Sequence, residues 1–143
     1  MEIKPFIRRV NYYETDQMGI IHHSNYVRYF EEARVNFMEQ MGYGYERSAE
    51  EGVDFAVLEV QCTYKSMVHF GDTIEIHLNI PELNQAKLTV EYKILDAKTK
   101  ELRTTGITKH CFYDTKNQRL VSLKKTIPEL YSLFDQIYQS ETL

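Results

Sequence analysis

The hydrophobic positions of the chain fall into two periods. Tyr26, Phe30, Ala33, Phe37 and Met41 recur every three or four residues, which predicts an amphipathic helix from about Asn25 to Met41. Ser24 or Asn25 can cap its start with a short polar side chain, and Gly42 and Gly44 supply the stop. From Asp54 onward the period is two. Ile74, Ile76, Leu78 and Ile80 alternate with Glu75, His77 and Asn79, and Leu88, Val90, Tyr92 and Ile94 alternate with Thr89, Glu91 and Lys93. Both runs predict half-buried antiparallel strands. Phe6–Tyr13, Asp54–Tyr64 and Arg103–Tyr113 read as further strands, Tyr45–Glu51 as a short helical turn, and Ile127–Gln139 as a second amphipathic helix with Thr126 and Glu129 as a capping box. The order is strand, loop, long helix, four strands, helix. That is an α+β pattern, best packed by wrapping the sheet around the long helix.

The 143 residues suit one domain, residues 1–143, with no repeat or linker to divide it. A hydrophobic fraction of 43% and a charged fraction of 27% are those of a globular protein, and the net charge of −4 argues against a nucleic-acid surface. No run of apolar residues is long enough to span a bilayer, and Met1–Val10 has no signal-like apolar stretch. Cys62 and Cys111 form no metal or redox motif and read as buried free thiols. The expectation is a cytoplasmic protein without a metal or cofactor.

The loop between first strand and long helix carries the chemistry. It runs Tyr12-Tyr13-Glu14-Thr15-Asp16-Gln17-Met18-Gly19-Ile20-Ile21-His22-His23-Ser24-Asn25-Tyr26. Asp16 lies just ahead of a helix start, where unpaired amides and the macrodipole resemble about half a positive charge. A carboxylate beside such amides has the place of a nucleophile or general base, and the amides that of an oxyanion hole. Taken singly, Asp16 is a turn residue, Tyr12 a packing residue, His23 a helix-start residue and Asn25 a cap. Gly19 is explained by a positive φ. Adjacent His22 and His23 have no further ligand at metal spacing.

In its register this stretch resembles the 4-hydroxybenzoyl-CoA thioesterase and YbgC-like branch of the hotdog superfamily. The matching residues are Tyr12, Thr15-Asp16, Gly19-Ile20-Ile21, His23, Asn25-Tyr26 and Phe30-Glu31-Glu32-Ala33-Arg34, with His22 standing where relatives often carry tyrosine. The resemblance implies an α+β hotdog fold: a five- or six-stranded antiparallel sheet around one central helix, plus a C-terminal helix. It implies an acyl-CoA thioesterase with Asp16 as nucleophile or general base, His23 polarising the carbonyl through its backbone N–H, and Tyr12 as a further catalytic candidate. Gly19, Ile20, Asn25 and Lys65 are the expected substrate-binding residues. CoA would be part of the substrate and not a cofactor, and the chain would form a homodimer or homotetramer with sites at subunit interfaces. Exposed edge strands favour such partners on physical grounds as well.

Two other readings fit the same residues. The substrate could be an acyl-carrier-protein thioester, or the chain a non-catalytic acyl-CoA-binding protein. Hotdog dehydratases carry a His-Phe-Pro segment, which this chain lacks. Lys116, Arg119, Lys124 and Lys125 could hold CoA phosphates, although a solvated surface accounts for them equally well.

Overall fold

A computed structural model describes residues 1–142. The elements are β1 (Phe6–Arg9), α1 (Ser24–Gln40), α2 (Tyr45–Glu50), β2 (Val53–Tyr64), β3 (Thr73–Leu83), β4 (Lys87–Asp96), β5 (Leu102–Asp114), β6 (Arg119–Leu120), α3 (Leu123–Thr126) and α4 (Pro128–Thr142). All strands belong to one antiparallel sheet in the order β1-β3-β4-β5-β2, with β6 paired to the end of β5. This is the hotdog arrangement that the sequence leads one to expect.

The helix face read from the sequence is the face that packs. Tyr26, Phe30, Ala33, Phe37 and Met41 are all buried, joined by Tyr29 and Met38. They meet Ile74, Ile76, Val90, Tyr92, Ile94 and Phe112 from the inner face of the sheet. Phe30 is central: its ring stacks on Tyr92 at 4.2 Å. It also lies over Gly106 of β5, where a Cβ atom would come within 2.2 Å of the ring. Only glycine lets the helix approach the sheet this closely. α4 adds Leu130, Phe134 and Ile137 to the same core.

Several boundaries differ from expectation. β1 stops at Arg9 and does not reach Tyr13, because the chain turns into a single 3-10 turn at Tyr12–Glu14 that brings Glu14 inward. α1 has no side-chain cap. Asn25 already lies within the helix with its amide turned to the preceding loop, and Ser24 pairs with His22. The short α3 precedes α4, capped by the Ser122 side chain accepting from the Lys125 amide. Gly42, at φ +84°, ends α1 as expected.

A polar chain crosses the core. Arg34 Nη1 donates to the Tyr92 hydroxyl at 3.0 Å, Tyr92 meets Thr108 Oγ1 at 2.5 Å, and Thr108 meets His110 Nε2 at 2.7 Å. Burial, assisted by the Arg34 charge, pulls the His110 imidazole down from 6.5 to about 4. The unfolded chain therefore binds this proton below about pH 6.5, whereas the folded one resists it until about pH 4. The stability supplied by neutral His110 is complete above about pH 6.5 and is lost as pH falls toward 4. The difference corresponds to about 3 kcal/mol. Urea unfolding between pH 7 and 4 should show a steeper loss for the wild type than for His110→Gln; equal slopes would contradict the assignment. Gly106→Ala should cost about 2 kcal/mol or more through overpacking against Phe30, read as a lowered Tm, and an unchanged Tm would contradict it.

Candidate active site

The segment between β1 and α1 is built around an inward-facing carboxylate. Glu14 is only 4% exposed, and both its oxygens accept from Arg8 of β1, at 2.5 and 2.6 Å. Glu14 Oε1 also accepts from the Asn11 amide at 2.8 Å. Burial alone would raise the Glu14 carboxyl, but the Arg8 guanidinium and the Asn11 amide outweigh it and hold the group below its ordinary value. Two residues on, the chain makes a tight turn. Asp16 Oδ1 accepts from the Met18 amide at 2.8 Å, the Asp16 carbonyl accepts from Gly19, and the Asp16 amide donates to Ile20. Gly19 takes φ +77°, the left-handed conformation a glycine allows. The return arm is then pinned from the far side, with Ile21 N donating to Val68 O and His22 N to Glu14 O.

This construction opens a cleft of about 380 Å³ between the loop, the start of α1 and the segment that follows β2. Asp16 and His23 line it together. Its apolar wall is Ile20, Ile21, Tyr26, Met67 and Val68, and Tyr64, Lys65 and Ser66 complete it. Tyr26 and Tyr64 contact each other at 5.0 Å. Burial raises the Tyr26 phenol, and burial with the neighbouring Cys62 pushes Tyr64 up to about 12, so both rings are neutral at physiological pH. Asp16 is thus the one carboxylate of the lining. One of its oxygens holds the turn; the other accepts no hydrogen bond among the described residues. The His23 amide likewise has no acceptor among the described residues. An available carboxylate oxygen, a free helix-start amide and apolar walls can act on a carbonyl carbon while holding the charge that develops on its oxygen.

The sequence model of the thioesterase-like superfamily matches residues 10–131, and so takes in the whole site. The chain belongs to this superfamily. A protein of Aquifex aeolicus (strain VF5), provisionally named an esterase, is 40% identical over 128 residues, covering 88% of this chain and 97% of its own. The acyl-CoA thioester hydrolase YbgC of Escherichia coli O157:H7 is 25% identical over 103 residues, 72% of this chain and 77% of its own. In structure, the DHNA-CoA thioesterase of Staphylococcus aureus superposes with a TM-score of 0.92, covering 97% of this chain and 93% of its own; at 22% identity this likeness is one of fold. Thioester hydrolysis is the activity that membership of the superfamily carries.

The structure of this thioesterase brings Asp16, Ile20, His23 and Lys65 into the cleft and leaves three expected residues outside its lining. Tyr12 is 76% exposed and meets Phe70 edge-on, because the 3-10 turn that draws Glu14 in throws Tyr12 out. Gly19 acts through its turn. Asn25 is buried, and its amide donates to the Glu14 carbonyl at 2.8 Å, so it holds the loop. Lys116 and Arg119 flank Asp114, which pairs with Val53 at the start of β2, whereas the cleft lies beyond Tyr64 at its end. Eleven steps of extended chain separate the two ends, roughly 36 Å, so within one chain that basic group does not approach Lys65.

Tyr64, Ser66, Met67 and Val68 are site residues that sequence reasoning missed. Their segment has no periodicity to mark it, and tertiary contacts, the pairing of Val68 with Ile21 and of Tyr64 with Tyr26 among them, bring it to the loop and the helix start. Given its exposure, Tyr12→Phe should leave kcat/KM within about threefold of wild type in a thiol-release assay. A loss near the roughly 10²-fold scale of a proton-transfer group would instead give Tyr12 a direct role.

Proposed function

We propose that this thioesterase hydrolyses acyl-CoA, releasing the free acid and CoA, with Asp16 as the reacting carboxylate. The reading rests on the shared cleft of Asp16 and the unpaired His23 amide at the start of α1. In one course the free Asp16 oxygen attacks the thioester carbonyl carbon. The C–S bond then breaks, CoA leaves as the thiolate, and water hydrolyses the resulting anhydride to the acid and the restored carboxylate. In the other, Asp16 takes a proton from the water that attacks the carbonyl carbon, the C–S bond breaks, and the departing thiolate takes up that proton to leave as CoA. The His23 amide and the helix macrodipole stabilise the carbonyl oxygen in both. The apolar wall of Ile20, Ile21, Met67 and Val68 takes the acyl group, and Lys65 offers a cation to the phosphates of CoA. No cofactor enters the balance. The match to YbgC of E. coli, an acyl-CoA thioester hydrolase by name, favours CoA over a carrier protein as the thiol.

The same reading includes self-association. β2 is a twelve-residue edge strand, and it exposes Val57, Leu58, Val60 and Tyr64. An edge so long and apolar is one that soluble proteins cover. We propose that a second copy pairs along it, as a homodimer or as half of a homotetramer. Tyr64 belongs to both the edge and the cleft, so the partner would abut the site. The two free cysteines suit the reducing cytoplasm, where we place the activity.

Thiol release from acetyl- to stearoyl-CoA and from benzoyl-CoA tests the reaction. Wild type should turn over at least one of them, and Asp16→Asn, checked for an unchanged melt, should lower kcat by about 10³-fold or more. A folded Asp16→Asn variant with full turnover would remove Asp16 from the mechanism. For the assembly, Val60→Lys should shift the sedimenting species toward the monomer. A wild type that sediments as a monomer at micromolar concentration would contradict the edge pairing.

A further inference from the structure

We infer that Arg8 and Glu14 form a positioning clamp for the reaction centre, and that the placement of Asp16 depends on the charge and the two-pronged geometry of this ion pair. The inference rests on the proposed role of Asp16. Its evidence is the way five hydrogen bonds, from four different residues around the loop, converge on Glu14. The Glu14 side chain takes two hydrogen bonds from Arg8 and one from the Asn11 amide. Its backbone carbonyl accepts from the His22 amide at 2.9 Å and from the Asn25 side chain at 2.8 Å. Glu14 therefore ties β1, the entry arm of the loop, the return arm and the first turn of α1 together, two residues before Asp16.

Arg8 extends the clamp. Its guanidinium, lying over the Tyr29 ring at 4.8 Å, also meets Glu32 of α1, with Nε to Oε1 at 3.1 Å. The ion pair thus spans the strand before the loop and the helix after it. The Arg8 and Glu14 side chains are 15% and 5% exposed, so neither is free to exchange its partner for water. Burying such a pair costs desolvation that a well-packed apolar pair would avoid, so stability alone is a weak reason to have one. A bidentate guanidinium–carboxylate pair does fix distance and direction at both ends. The reacting group needs this: Asp16 must stand at a set distance from the carbonyl carbon while the His23 amide faces the oxygen, and a displacement near 1 Å can cost about 10²-fold in rate.

The test uses the full chain. Glu14→Gln keeps the shape but gives up the charge and one of the two prongs; Arg8→Lys keeps the charge and gives up the fork. Hydrogen exchange read by mass spectrometry needs no substrate. In Glu14→Gln the hydrogen-bonded amides of residues 11–22 should exchange at least about tenfold faster, with β3 and β4 unchanged, whereas a merely structural loss would speed exchange throughout. In thiol release from the best acyl-CoA, both variants should lose kcat by about 10-fold or more with KM within about threefold. Glu14→Gln should add little to the loss already caused by Asp16→Asn, as expected of groups that act as a unit. Unchanged loop exchange, or exchange raised equally in the strands, would overturn the clamp. So would a full kcat in the folded Glu14→Gln variant while Asp16→Asn is inactive. Full activity of Asp16→Asn would instead remove the reading on which the clamp rests.

Discussion

The structure turns on the contact between Phe30 and the sheet. The ring fits between Tyr92 and the bare backbone of Gly106, and this close approach sets how tightly the sheet curls around α1. The position of the helix start depends on it. Once Phe30 is seated, Tyr26 one turn earlier is held against Tyr64, and the helix start is delivered to the far end of β2. The site stands where one rigid helix begins because the core leaves that helix no other place to lie. A residue with a Cβ at position 106 would push the helix outward and move the His23 amide with it.

The chemistry is then assembled from short connections that regular structure does not supply. The loop after β1 and the segment after β2 are paired to each other by Ile21 and Val68, so two irregular stretches form one wall. Asp16 is held by its own turn, and its remaining oxygen is left to react. The outer side of the cleft ends at the unpaired edge of β2, which gives the proposed assembly a direct connection to the site.

The core elements were legible in the sequence because their patterns are periodic. The stripe from Tyr26 to Met41 and the alternations of β3 and β4 are repeated signals, and each maps onto a buried face. The loop was legible through a different signal, the fixed register of Thr15-Asp16, Gly19-Ile20-Ile21 and His23. What lay beyond reading was direction. Sequence places Tyr12, Glu14 and Asn25 in the same loop but does not say which of them turns inward. The ion pair of Glu14 with Arg8 decides it, drawing Glu14 in, leaving Tyr12 outside, and giving Asn25 to the Glu14 carbonyl. The stretch from Tyr64 to Val68 was hidden for a similar reason, since it joins the site through tertiary pairing alone.

The most direct test of the site is to map where an unreactive substrate binds. Acyl-CoA analogues with a methylene between sulfur and carbonyl carbon keep both recognition groups and cannot release thiol by hydrolysis. Titrated into the isotope-labelled protein and followed by amide NMR, they should give saturable shifts at Ile20, His23, Lys65 and Met67. Saturable shifts confined to the far end of the sheet, around Lys116 and Arg119, or none at any acyl length, would contradict the account.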